Sequence, residues 1–133
     1  MTATRFLVDA TAIAHYPNPQ VGARLDGLAM DGRTVSCGVV ELQLLGAVSD
    51  PATRARVAAL RAAAFEVLET NGDDFRRAAQ IQTLLAEQGE CGIAWPALVI
   101  AAVAQRHEVS VLHCDRQYDV IQKVTGQATE TAG

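Results

Sequence analysis

Aromatic side chains are scarce, at 5% of the 133 residues. That scarcity excludes a core built on large rings and leaves packing to many small aliphatic contacts. Lysine is nearly absent, since ten of the eleven basic residues are arginine. Positive charge is lacking overall: the net charge of −4 is the wrong sign for binding nucleic acid through bulk electrostatics. Any RNA contact must then rest on local arginines and bound cations. The cysteines, Cys37, Cys91 and Cys114, are odd in number and widely spaced. Without a CxxC pair they support neither a zinc ribbon nor a thioredoxin-like site. The first apolar run is too short for a signal peptide, and no run reaches membrane-spanning length. The expectation is a cytoplasmic protein with reduced thiols and no membrane association.

What is present is aliphatic. Half of the residues are hydrophobic, which does not suit a disordered chain. The whole chain, 1–133, reads as one domain, a size that buries roughly two-thirds of its unfolded surface. Residues 5–8, RFLV, predict a buried strand ending at Asp9. Helices follow before Pro17 and over 20–30. Residues 35–48 are apolar almost throughout, and their length predicts a single, largely buried helix. A helix over 53–65 precedes a short strand at 66–69. Asn71-Gly72 marks a turn, after which Asp73 or Asp74 is placed to cap a helix that stops at Gly89. Pro96 opens a strongly apolar helix, 109–112 is a second strand, and 119–124 a terminal helix. Residues 126–133 read as a loose tail. Strands separated by helices imply a mainly parallel central sheet covered on both faces, a three-layer α/β sandwich.

Two of the strands each lead into an aspartate, Asp9 and Asp115. Ligands of open parallel sheets bind outside the carboxyl ends of the strands, so these two acids can meet at one rim. Glu41 is a third candidate, because an ionised side chain within an apolar helix is costly unless paired or bound to a metal. Such a set can hold Mg²⁺ or Mn²⁺ with part of its water shell. Each acid also has a structural reading. Asp9 can cap the following helix, Glu41 can pair with an arginine, and Asp115 can start a turn or cap the last helix. Likewise Arg54, Arg56, Arg61, Arg76 and Arg77 are either phosphate contacts or a solvated helix face.

FLVDATAI at 6–13 resembles the opening of PIN-domain ribonucleases, where a strand ends in Asp and a Ser or Thr follows two residues later. VSCGVVELQLL resembles their second motif, a glutamate within an apolar helix. IAWPALVIAAVAQRHEVSVLHCDRQYDVI resembles the third and fourth. The likeness covers nearly the whole chain and is strongest to the VapC toxins of toxin–antitoxin pairs. It implies a PIN-like fold and endonucleolytic hydrolysis of RNA by water activated at a divalent cation. Residue by residue it assigns the metal-site acids to Asp9, Glu41 and Asp115. Asp119 lies nearby in a supporting place, and Thr11 orients a carboxylate or a bound water. It also implies a VapB-type antitoxin that covers the acidic groove, homodimerisation and a toxin–antitoxin hetero-oligomer.

Three positions depart from the pattern. Gln117 stands where relatives often carry an acid, Tyr118 where they usually carry Phe, and Ala97 where Asp follows Pro. The last removes a principal metal ligand. A change introduced to silence a toxic nuclease and natural degeneration both account for it. A catalytically inactive module that binds antitoxin or RNA is the alternative function. A phosphoacceptor receiver fits less well, as no acidic pair precedes Asp9. A Cys114–His113 nucleophile is disfavoured because adjacent strand residues face opposite ways. His107 reads as a helix end, and Trp95 as a cover over the core or, if exposed near the pocket, as a surface on which a base can stack.

Overall fold

The computed structural model describes residues 3–133. Strands β1 (Phe6–Val8), β2 (Thr34–Cys37), β3 (Glu66–Leu68), β4 (Ser110–His113) and β5 (Thr129–Thr131) form one sheet in the order β3-β2-β1-β4-β5. All four pairings are parallel, with Leu7 beside Val35 on one side and beside Val111 on the other. Parallel strands buried on both faces read as apolar runs, as FLV does and as Val111-Leu112 does between the buried polar Ser110 and His113.

The chain lays β2 and β3 to one side of β1 and then crosses to lay β4 on the other. The strand order therefore reverses between β1 and β4, and a crevice opens at their carboxyl ends.

Two apolar clusters sandwich the sheet. Leu7, Val35 and Val111 face α3 (Gly38–Gly46), α5 (Gly72–Glu87), α6 (Trp95–Arg106) and α7 (Gln117–Thr125). Phe6, Val8 and Leu112 face α1 (Ala10–Ala14) and α2 (Pro19–Met30). Helix α6 buries every residue from Ala97 to Ala104, as a helix that is apolar all round must. Helix α4 (Pro51–Ala64) buries none. The close approach at Gly22, where a Cβ would meet the Tyr16 carbonyl oxygen at 2.7 Å, packs the chain after α1 tightly against α2. Gly126 ends α7 at a φ of +71°, a conformation open to glycine at little cost.

Three expectations are corrected. The run 35–48 is a strand and then a helix, not one helix. A short buried strand and an apolar helix share a continuous signal, and the break falls at Cys37–Gly38; nor is the helix largely buried, since only its Val39 and Val40 are buried and Leu42 is 67% exposed. Asn71, not Asp73 or Asp74, is the N-cap of α5; Asp74 is the reciprocal member of its capping box. The expected loose tail carries β5, which pairs with β4. Among the described residues no helix is long and apolar enough to cross a membrane.

Candidate active site

Asp9 sits where β1 ends and α1 begins. It is the N-cap of α1, 3% exposed. Its Oδ2 accepts from the Thr11 amide at 3.0 Å and the Thr11 hydroxyl at 2.6 Å. The Thr11 Oγ1 in turn accepts the Cys114 N–H at 3.0 Å, which ties the end of β1 to the end of β4. Asp9 Oδ1 accepts the Tyr118 hydroxyl at 2.7 Å in a buried contact. Burial first, and then the Asp9 charge and hydrogen bond, push the Tyr118 phenol well above its usual value of 10. Tyr118 is therefore a permanent donor to Asp9.

Asp115 follows β4. Its Oδ1 accepts the Gln117 amide N–H at 3.0 Å and its Oδ2 accepts the Gln117 side-chain amide at 2.9 Å. The other end of that side chain accepts the Ala94 N–H at 2.7 Å. Gln117 thus joins Asp115 to the entrance of α6. Beneath them the His113 ring accepts the Asp115 N–H at Nδ1 and lies 4.9 Å, centroid to centroid, from the Tyr118 ring. Burial lowers the His113 pKa, against the raising effect of Asp119, Asp9 and Asp115. Asp119 is 56% exposed and lies 3.8 Å from His113 Nε2. It stands at the outer rim, without a hydrogen bond to the other acids.

Glu41 lies in the first turn of α3. Arg61 of α4 grips it with a two-pronged contact, Nε to Oε1 at 2.7 Å and Nη2 to Oε2 at 2.9 Å. The Ser36 hydroxyl donates to the same Oε2. Burial acts to raise the Glu41 pKa, but the Arg61 and Ser36 hydrogen bonds and the Arg61 charge outweigh it and hold it below the usual value. The Asp9 and Glu41 charges both act on the buried Cys37 thiol, whose pKa is raised chiefly by burial. Asp9 directly follows β1, and Glu41 lies in the helix that follows the adjacent strand β2.

Residues 6–124 match the PIN domain family. The chain is 32% identical to Ribonuclease VapC51 of Mycobacterium tuberculosis over 125 residues, covering 94% of this chain and 90% of that one. It is 30% identical to Ribonuclease VapC21 of the same species over 128 residues, covering 96% and 93%. The chain belongs to the PIN-domain family of VapC ribonucleases. The fold agrees with a solved structure described as DNA-bound VapBC from Salmonella typhimurium. Its TM-score is 0.76 at 17% identity, covering 98% of this chain and 100% of that one.

In this PIN domain the crevice gathers Asp9, Thr11 and Asp115 around the β1–β4 junction, with Glu41 one strand away. Each oxygen of the three carboxylates already has a protein donor. Among the described residues no group of three or more His, Cys, Asp or Glu side chains is arranged to hold a metal ion. As they stand, these residues do not fit a divalent cation, because the Glu41 charge is taken by Arg61. Ala97, 5% exposed, packs as a core residue in the first turn of α6.

The structural readings of the acids hold. Asp9 does cap α1, Asp115 does anchor a turn, and Glu41 does pair with an arginine. Trp95 is corrected: it is 60% exposed, with Phe75 along a groove between α5 and α6. His107 is the C-cap of α6. Ser36 went unassigned in the sequence, and Arg61, read there as a phosphate contact or part of a solvated helix face, is instead the partner of Glu41. Only the need to compensate a charge in an apolar helix pointed toward such a partner, and it did not say which arginine.

Proposed function

We propose that this chain is a VapC-type toxin, an RNA endonuclease scaffold neutralised by a VapB-type antitoxin, in a form impaired by the alanine at position 97. The observation that supports this reading is the convergence of Asp9, Thr11 and Asp115 on the sheet's switch point, with Glu41 in the helix after the adjacent strand β2. The reading takes Asp9, Glu41 and Asp115 as the principal acids, Thr11 as the group that orients Asp9, and Asp119 as a supporting acid at the rim. Mg²⁺ or Mn²⁺ is the cofactor of a catalytic form that has an acid at position 97 and Glu41 released. The chain acts as a single cytoplasmic PIN domain, 1–133, that forms a homodimer and joins the antitoxin in a hetero-oligomer.

The chain's own side chains preorganise the crevice. Thr11 fixes the Asp9 carboxylate with two donors and links it to β4. Gln117 fixes Asp115. Carboxylates held by such short, local contacts need little reorganisation to orient a water molecule in the crevice.

The test is a paired assay on total RNA of this chain and its Ala97→Asp variant, with Mg²⁺ and Mn²⁺ titrated and cleavage ends mapped. Cleavage at defined sites by Ala97→Asp, with little or none by the parent chain, supports the reading. Equal cleavage by the two sinks the impairment. A second reading, a module that binds antitoxin or RNA without cleaving, is favoured by the complete satisfaction of the carboxylates without a cation. Retained antitoxin binding with no cleavage by Ala97→Asp selects it.

A further inference from the structure

We propose that Arg61 is an internal plug, carried on α4, which must withdraw from Glu41 before a divalent cation can use that carboxylate. The inference rests on the reading of the crevice as a cation-dependent nuclease site and concerns how that site is kept shut.

The contact itself is the first observation. Both Glu41 oxygens are taken by one guanidinium, and the side chains of Arg61 and Glu41 are 15% and 18% exposed. A guanidinium matches a carboxylate in shape as well as charge, so it competes for both oxygens at once. A cation and a guanidinium cannot share them, since like charges at contact distance in a half-buried site repel strongly. Occupancy by one excludes the other.

The second observation is the footing of the arm. Of the seven helices described, α4 is the one that buries no residue. A cleft of about 180 Å³, walled by Val8, Ile13, Leu25, Val35 and Phe65, lies alongside Arg61. A helix with no buried side chain opens at low cost compared with the core helices. The Phe65 ring, at the C-cap of the same helix, lies 4.6 Å from the guanidinium carbon. The C-terminal end of α4 is anchored, because Phe65 runs directly into β3, so the arm opens by lifting Arg61 and the helix ahead of it.

A bound state that needs an uncommon conformer has its apparent affinity reduced by that conformer's fraction. The test is Mn²⁺ titration by calorimetry, with the Mn²⁺-induced shift in melting temperature as a second readout. It uses the full chain, Arg61→Gln and Arg61→Lys, each with and without Ala97→Asp. Removing the plug is expected to tighten Mn²⁺ binding about tenfold or more for Arg61→Gln. Arg61→Lys keeps the charge but loses the fork, so it gains less; should Arg61→Gln not fold, this smaller gain carries the test. Affinity unchanged by both Arg61 substitutions, where the Ala97→Asp protein does bind Mn²⁺, overturns the plug and leaves the nuclease reading standing. No Mn²⁺ binding by any of the proteins overturns the two together.

Discussion

Two arginine forks hold two carboxylates in this protein, and they differ in what stands behind them. Arg106 grips Asp74 at 2.8 and 2.9 Å and also donates to the Glu69 carbonyl at 2.7 Å. Asp74 is 1% exposed and accepts the Asn71 N–H within the α5 capping box. Arg106 closes α6, the most deeply buried helix. The Arg61–Glu41 fork has nearly the same geometry but joins α3 to a helix that buries nothing. The contrast teaches that the value of such a pair is set by the elements it joins, not by the bond alone. The first fork is a staple between fixed walls. The second is a latch on a movable one.

The largest expected effect falls on the staple. Asp74→Ala removes half of a capping box and strips a buried acceptor from its donors. It is expected to cost about 3 kcal/mol of stability, read by urea unfolding. Next, Ala97→Asp puts a carboxylate into an apolar contact. Without a divalent cation it should cost about 2 kcal/mol, and added Mn²⁺ should recover part of the loss. Arg61→Gln is expected to cost less, about 1 kcal/mol, because Glu41 keeps Ser36 and regains water when α4 lifts. A loss equal to that of Asp74→Ala would break the contrast between the forks.

The smallest effect is confined to acid. The Arg106 hydrogen bond, against the opposing effect of burial, lowers the Asp74 pKa from its model-compound value of 3.8. A carboxyl lowered on folding contributes stability that is fully present above its unfolded pKa. That stability is lost as pH falls through the lowered value. Asp74→Asn should accordingly flatten the decline in stability below about pH 4, measured by urea unfolding across that range.

Much of this architecture is written in local pattern. FLV before Asp9 and SVLH ahead of Asp115 mark the two strands at the switch point, and the strand-end acids fall at the crevice as the topology requires. Pro51 and Pro96 mark helix starts. The division of 35–48 was not legible, because the four residues TVSC are too few to show a strand period before the apolar helix begins. β5 was hidden as well. TET is a polar edge strand, and edge strands carry little apolar signal. At the site, the Asp9 cap of α1 is local and could be read, whereas Thr11 was singled out only by the resemblance. Tyr118 reaches Asp9 across 109 positions and Arg61 reaches Glu41 across 20. No short-range pattern encodes contacts that only the fold brings together.

The claim that one wall of the acidic crevice is fixed and the other movable is tested most directly by native-state amide hydrogen exchange. Amides of α4 are expected to exchange through local opening, well below the global unfolding free energy, while those of α5 and α6 exchange only with global unfolding. Addition of Mn²⁺ to the Ala97→Asp protein should lower α4 protection further. Protection of α4 equal to that of α6, unchanged by Mn²⁺, would contradict the account.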